Sequence, residues 1–306
     1  MDRDSAIEYL KKYILHDIGY LCRRVDRLWI APIVRTLRDI QQTQNRAVFF
    51  GGTLRSLLIS RVRHGRLGRP RDVDIVVDGV SVDTLRESLQ DMISRETRFG
   101  GLKLRRMNWE FDVWPLHKTW AFVKDGCSAP AFEALPFTTF FNLEAIAVDV
   151  WAAPGSTRRI YSGDDQFFDG IISQTIDLNR EENPFPALCV VRALIMASAL
   201  DFSIGPRLAR YLATHGPEIA NVELEGVQHK HYGRLRHDAR TMRTWIEEVQ
   251  RCIDRNDGEP VRLRVPRQLS FWPQERNEGP SARLRMMALA VNHQKSGTNP
   301  AQSVVK

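Results

Sequence analysis

Apolar positions recur at spacings of about three and four over residues 5 to 43, where Ile7, Leu10 and Ile14 are followed by Leu28, Ile33, Leu37 and Ile40. This predicts helices interrupted at Pro32, packing on the outside of a head domain that begins near residue 45. From residue 45 the period changes. Val48-Phe49-Phe50 is a short β-favouring run, Leu54 to Ser60 reads as a helix, and Val73, Ile75, Val76 and Val77 read as a second strand. A helix-like stretch from Val82 to Ser94 precedes a hairpin turning at Met107-Asn108, whose second arm places Glu110, Asp112 and Trp114 on one face and Trp109, Phe111 and Val113 on the other. Residues 184 to 253 are mainly helical, with Pro206 at a helix start and an amphipathic run from Leu235 to Ile253. Pro260, Pro266, Pro273 and Pro280 then break the chain into loop, apart from a short helix-like Ala282 to Val291 and a tail expected to be disordered. The pattern predicts an α+β protein in four parts: N-terminal helices (1–44), a mixed-sheet head (45–183), a helical neck and body (184–253) and a loop-rich end (254–306).

The chemistry concentrates at the first strand–turn–helix. Paired Gly51-Gly52 after an apolar run lets the backbone turn sharply and approach a ligand closely, and the amides of Gly52 and Thr53 then open a helix, where unpaired N–H groups favour phosphate. In the next strand Asp72 and Asp74 project to the same side. Two neighbouring carboxylates repel unless a cation lies between them, and oxygen ligands suit Mg²⁺, which also binds substrate phosphates; Mn²⁺ is the alternative. A strand-end cap and a surface residue are the plainer reading of the pair. Two-metal phosphoryl transfer uses a third carboxylate. Asp112, in the apolar middle of its arm, is the leading candidate, with Glu110 and Asp149 as competitors and a salt bridge to Arg105 or Arg106 as the structural explanation.

These residues resemble a known family. Gly51-Gly52-x-x-Arg55 with Asp72-x-Asp74 is similar to the head of class II nucleotidyltransferases, which include bacterial CCA-adding tRNA nucleotidyltransferases and poly(A) polymerases. Phe137-Thr138 through Ala147 resembles the family's Phe-Thr-Ile-Asn-Ala-Leu-Ala stretch, Ile160 to Ile172 the segment closing the head, and Glu182 to Leu194 the neck helix; the resemblance covers about residues 45 to 215. It implies a nucleotidyltransferase (polymerase-β-like) head and a Mg²⁺-dependent transfer of NMP from an NTP, ATP or CTP, to an acceptor hydroxyl, with an RNA such as a tRNA 3′ end as acceptor. It also implies metal binding and catalysis by Asp72, Asp74 and Asp112, phosphate binding by Gly51, Gly52 and Arg55 or Ser56, and nucleotide contact by Arg192 at the head–neck junction. The chain departs from the pattern at Ser56, where the family carries Asp, and at Ala134-Leu135-Pro136, where the family reads the ribose with Arg-Arg-Asp. No Glu-Asp-x-x-Arg sequence, which the family uses to select C and then A, follows residue 200. These departures keep two other readings open: transfer to a protein or small molecule in a toxin or defence role, and an RNA-binding module without turnover.

Composition adds partners rather than chemistry. A formal charge of +7 over 306 residues gives a field that attracts polyanions. Arg61, Arg63, His64, Arg66, Arg69 and Arg71 crowd the segment between turn and metal strand, either as a clamp on RNA or triphosphate or as a solvated basic loop. His229, His231 and His237 lie in a second basic segment suited to RNA backbone. Trp114, His117, Lys118 and Trp120 adjoin the proposed metal site, where core packing competes with base stacking. No apolar run approaches the roughly twenty residues of a membrane span, and the first residues lack a signal-peptide pattern, so a cytoplasmic location without membrane contact is expected. Cys22, Cys127, Cys189 and Cys252 are scattered, suggesting buried thiols rather than zinc or disulfides.

Overall fold

The computed structural model describes residues 2–153, 155–256 and 258–264; the expected loop-rich end therefore lies mostly outside the described residues, as does the helix expected at Ala282 to Val291. Two helices, α1 (Arg3–Leu21) and α2 (Ala31–Gln41), open the chain. Asp2 caps α1 by accepting from the Ser5 amide, and Pro32 sits in the first turn of α2, where its missing N–H costs nothing. The head follows as β1 (Ala47–Phe50), α3 (Gly52–His64), β2 (Asp72–Val77), α4 (Val82–Leu89), β3 (Ile93–Glu96), β4 (Leu102–Arg106), β5 (Trp109–Pro115), α5 (Trp120–Lys124), β6 (Ala147–Asp149) and β7 (Ile160–Tyr161). Helix α6 (Gln166–Ser173) and β8 (Thr175–Ile176) lead to α7 (Pro186–Leu200), β9 (Ser203–Ile204), α8 (Pro206–His215), α9 (Asn221–Tyr232) and α10 (Ala239–Arg255).

Seven strands form one mixed sheet in the order β3-β4-β5-β2-β1-β6-β7, antiparallel except for the central β2–β5 pair. The expected hairpin is present: Met107 takes a left-handed conformation (φ 53°) and Arg106 pairs with Trp109, so Met107 and Asn108 form a two-residue turn. Strand alternation gives the sheet two unlike faces. Phe49, Val73, Ile75, Val77, Phe111 and Val113 face the main core, which α1 to α4 supply with Ile14, Leu37, Leu57 and Leu85 and which continues into the neck through Val190, Leu194 and Phe202. The opposite face carries Asp72, Asp74, Asp112 and Trp114, closed at one end by a small cluster including Val48, Val76, Phe122, Phe132 and Tyr161. Burial on one side and polar chemistry on the other is therefore written in the alternation of β2 and β5.

Several expectations change here. The helix after the glycine turn runs to His64, well past Ser60, so Arg61 and Arg63 are helical rather than loop residues. Both serve packing: Arg61 pairs with the buried Asp17 of α1, and Arg63 donates to the Leu200 carbonyl and lies over the Phe202 ring. Arg69 stacks on Trp109 at 4.6 Å. Much of the basic segment is thus tied into the fold, while Arg63, His64, Arg69 and Arg71 also line a cavity beside the carboxylates. Arg180, before the neck, is likewise held, by both oxygens of Asp125 at 2.8 Å and by Glu182 at 3.2 Å. His237 packs on Trp245. Of the cysteines expected to be buried thiols, Cys189 is buried, Cys22 and Cys252 are half-buried and Cys127 is exposed. Among the described residues no helix is long and apolar enough to cross a membrane.

Candidate active site

The β1–α3 turn is built by Gly51, whose backbone (φ 54°, ψ −118°) lies where a side chain would be strained. A Cβ at Gly52 would stand 3.5 Å from Asp74 Oδ2, which places the turn directly beside the carboxylates. Thr53 fixes that arrangement, because its hydroxyl accepts from the Asp74 amide at 2.8 Å and so ties α3 to β2. Parallel pairing of β2 with β5 sets Asp72 opposite Glu110 and Asp74 opposite Asp112. The sheet thus brings Asp72, Asp74 and Asp112 onto one face next to Gly51 and Gly52. It does not do so for the competitors. Glu110 is exposed and bonded to Arg105 at 2.9 Å, and Asp149 lies across β1 from β2, accepting from the Tyr161 hydroxyl and the Arg159 amide.

Each outer carboxylate has a cation. Arg71 donates to Asp72 at 2.8 Å, and Lys103 Nζ sits 2.6 and 2.7 Å from the two oxygens of Asp112. The partner of Asp112 is therefore Lys103, not Arg105 or Arg106; Arg106 instead reaches Asp39 of α2. With Asp72 and Asp112 drawn toward their own partners, no group of three His, Cys, Asp or Glu side chains among the described residues closes into a ready-made metal cage. Asp74 is left between them. Burial, then the charges of Asp72, Asp112 and Glu144, push its pKa up to about 8 against a weaker opposing effect of Arg55. A carboxyl held protonated by burial and by its acidic neighbours would be favoured in its charged form by a nearby cation, and the hard oxygen donors here fit a divalent ion of the Mg²⁺ type.

This shift fixes a pH dependence. In the unfolded chain Asp74 ionises near 3.8, whereas in the native protein it keeps its proton to about 8. Between those values the native state binds the extra proton, so stability is greatest at the acid end and declines as pH rises through about 8. In a chelator, the melting temperature of the wild type is expected to fall across that window more steeply than that of Asp74→Asn; parallel profiles would contradict the assignment.

Behind the turn lies a second charged centre that the sequence reading missed. Glu144, in the short 3₁₀ turn Asn142–Glu144, is nearly buried and accepts from Arg55 and from Arg192 Nη2, the latter at 2.5 Å. Burial works against its ionisation, but the charges and hydrogen bonds of Arg192 and Arg55 outweigh it and hold its pKa below the usual value. Head and neck are joined through this residue, since Arg55 belongs to α3 and Arg192 to α7. Ser56, by contrast, spends its hydroxyl on the Gly52 carbonyl at 2.9 Å.

Two cavities flank the carboxylates. The larger, about 510 Å³, runs between α3, α7 and α9; six arginines line it, Arg55, Arg71 and Arg192 among them, with Ser56, Asp72, His231 and Tyr232. Arg71 and Arg236 stack on the Tyr232 ring at 5.5 and 4.8 Å. Burial, reinforced by Arg192 and Arg71, lowers the His231 pKa to about 4, so its imidazole is neutral near pH 7. The smaller cavity, about 320 Å³, is lined by Asp74, Asp112 and mostly apolar side chains.

No family model matches this chain, and no curated protein matches it. Solved structures do. A CCA-adding enzyme in complex with CTP is similar at 15% identity and TM-score 0.50, over 76% of this chain and 53% of that one. A CCA-adding enzyme in an apo form is similar at 14% identity and TM-score 0.50, over 78% of this chain and 53% of that one. The chain thus spans about half the length of these structures, and at such identity the likeness speaks to architecture. The chain, a mixed-sheet head with adjoining helices, shares its fold with these CCA-adding enzymes.

Proposed function

We propose that the protein is a nucleotidyltransferase that moves a nucleoside monophosphate from an NTP, with ATP or CTP the expected donor, to an acceptor hydroxyl at an RNA 3′ end of tRNA type. The register that sets Asp74 opposite Asp112, beside Gly51 and Gly52, carries this reading. The arginine-lined cavity, with Arg55 and Arg192 on its wall, suits the triphosphate, and the backbone of Gly51 and Gly52, beside Arg55 and Asp74, would bind phosphate oxygens at its edge. Ser56 lines the same cavity with its hydroxyl already bonded, so it shapes the wall. Asp72, Asp74 and Asp112 would hold divalent Mg²⁺, which when bound polarises phosphate oxygens and offsets their charge. In the transfer, the acceptor oxygen forms a bond to the α-phosphorus as the bond to the β-phosphate oxygen breaks. Pyrophosphate leaves, and the hydroxyl proton passes toward Asp112. The fold also occurs in CCA-adding enzymes, one solved with CTP, and the net positive charge of the chain favours a polyanionic acceptor.

The test is to incubate the protein with each α-labelled NTP in turn, together with total RNA and total protein. Label is expected in small RNA, in Mg²⁺ or Mn²⁺, from one or two of the four nucleotides. Label confined to protein would replace the acceptor, and no label in any fraction would remove the transferase reading.

A further inference from the structure

We infer that the smaller cavity is an acceptor pocket, built to take the terminal nucleoside of a single-stranded RNA with its base against Trp120 and Phe99. This deepens the transferase reading and rests on it. The two cavities divide the carboxylates between them: Asp72 faces the arginine-rich side, while Asp74 and Asp112 face the other. Their linings differ in kind. Six arginines attract a triphosphate, whereas Phe99, Trp114 and Trp120 offer it nothing and offer a ring a great deal. At about 320 Å³ the pocket lies at the low end of small-ligand sites, which begin at roughly 300 Å³, and so has room for one nucleoside.

The walls are held by different parts of the fold. Trp114 is fixed, its indole N–H donating to Thr119 at 3.1 Å and its ring meeting Phe50 edge-on. Trp120 opens α5 and stays half-buried, with the Lys124 ammonium 5.6 Å from its ring. Phe99, in the β3–β4 turn, is also half-buried and meets Phe185 of the neck at 6.1 Å. Half-buried rings lining a cavity keep surface for a stacking partner, and any base can use it because every base has a π-face. Lys118 adds one ammonium on the same wall, suited to the phosphate joining the terminal nucleotide to the one before it. A base stacked here leaves its ribose hydroxyls toward Asp112. A hydroxyl-bearing protein side chain would also reach Asp112, but its flanking peptide groups would lie unpaired against indole and phenyl rings.

The pocket is tested with a short single-stranded RNA carrying a fluorescent purine analogue at its 3′ terminus, and a control RNA with the analogue mid-strand. Binding by wild type is expected to quench the terminal analogue and spare the internal one. Trp120→Ala and Phe99→Ala are expected to weaken RNA binding and raise the acceptor KM by about tenfold, the effect of one lost stack, with the NTP KM unmoved and Trp120→Phe close to wild type. Unchanged quenching and acceptor KM in both alanine variants, while wild type transfers NMP to RNA, would overturn the pocket and leave the transferase standing. End-specific quenching lost in Trp120→Ala, with no transfer by wild type under any condition, would uphold the pocket and remove the transferase.

Discussion

Asp74→Asn is expected to lose NMP transfer by on the order of a thousandfold or more, while unfolding no more easily than wild type above neutral pH. Charge stabilisation at a phosphoryl-transfer centre is worth several kcal/mol, and each 1.4 kcal/mol is about tenfold in rate. In the proposed reaction Asp74 links the other two carboxylates, since it lies opposite Asp112 in register and two residues from Asp72. Its replacement by a neutral amide of the same shape removes, above about pH 8, a buried charge and its repulsion from Asp72, Asp112 and Glu144, which together hold its pKa up. Stability and activity therefore move apart in this variant, as they do where a strained group is kept for function. Transfer would be read by label incorporation and stability by urea unfolding in a chelator. Retained transfer by a properly folded Asp72→Asn, Asp74→Asn double variant would refute the catalytic assignment, and a sharp loss of stability would show Asp74 to be a structural residue.

How far this site could be read in the sequence depended on the range of each interaction. The turn at Gly51-Gly52 and the shared face of Asp72 and Asp74 are local, following from glycine freedom and strand alternation. The choice of Asp112 over Glu110 used one further local fact, that a charge amid apolar neighbours needs a reason to be there. Its partner was also available: a two-residue turn at Met107-Asn108 pairs Arg105 with Glu110 and places Lys103 against Asp112, which is the register observed. Naming Arg105 or Arg106 for that role neglected the register. The parallel pairing of β2 with β5 was not legible, since it joins strands separated by α4, β3 and β4 and depends on the whole sheet closing. The basic residues misled for the same reason. Nothing near Arg61 in sequence announces Asp17, and a cation that looks free locally is tied down by a remote acid. His231 and Tyr232 line the larger cavity only because α9 folds back against the head, a tertiary event without a local signature.

Glu144 did carry a local signature. It is the one acid in the apolar run Phe140 to Val148, and an acid so placed requires a buried cation. The structure supplies two, and the expected consequence is a large loss of stability in Glu144→Ala. Removing one member of a buried ion pair leaves its partners charged and desolvated, at a cost of roughly 3–5 kcal/mol. Arg192 also lies over the Phe141 ring at 5.3 Å and Arg55 against Met196, and since both line the larger cavity, water there offsets part of this cost and places the loss at the lower end of that range. Since those arginines come from α3 and α7, the loss should fall on the contact between head and neck. Glu144→Gln, which keeps an acceptor and loses the charge, is expected to be intermediate. In a cycle with Arg192→Met the two losses should be far from additive, because the double variant no longer strands Arg192. Urea unfolding of the three variants measures this. A Glu144→Ala protein within about 0.5 kcal/mol of wild type, the range of ordinary surface substitutions, would show that the arginines find water instead and that Glu144 does not hold the two parts together.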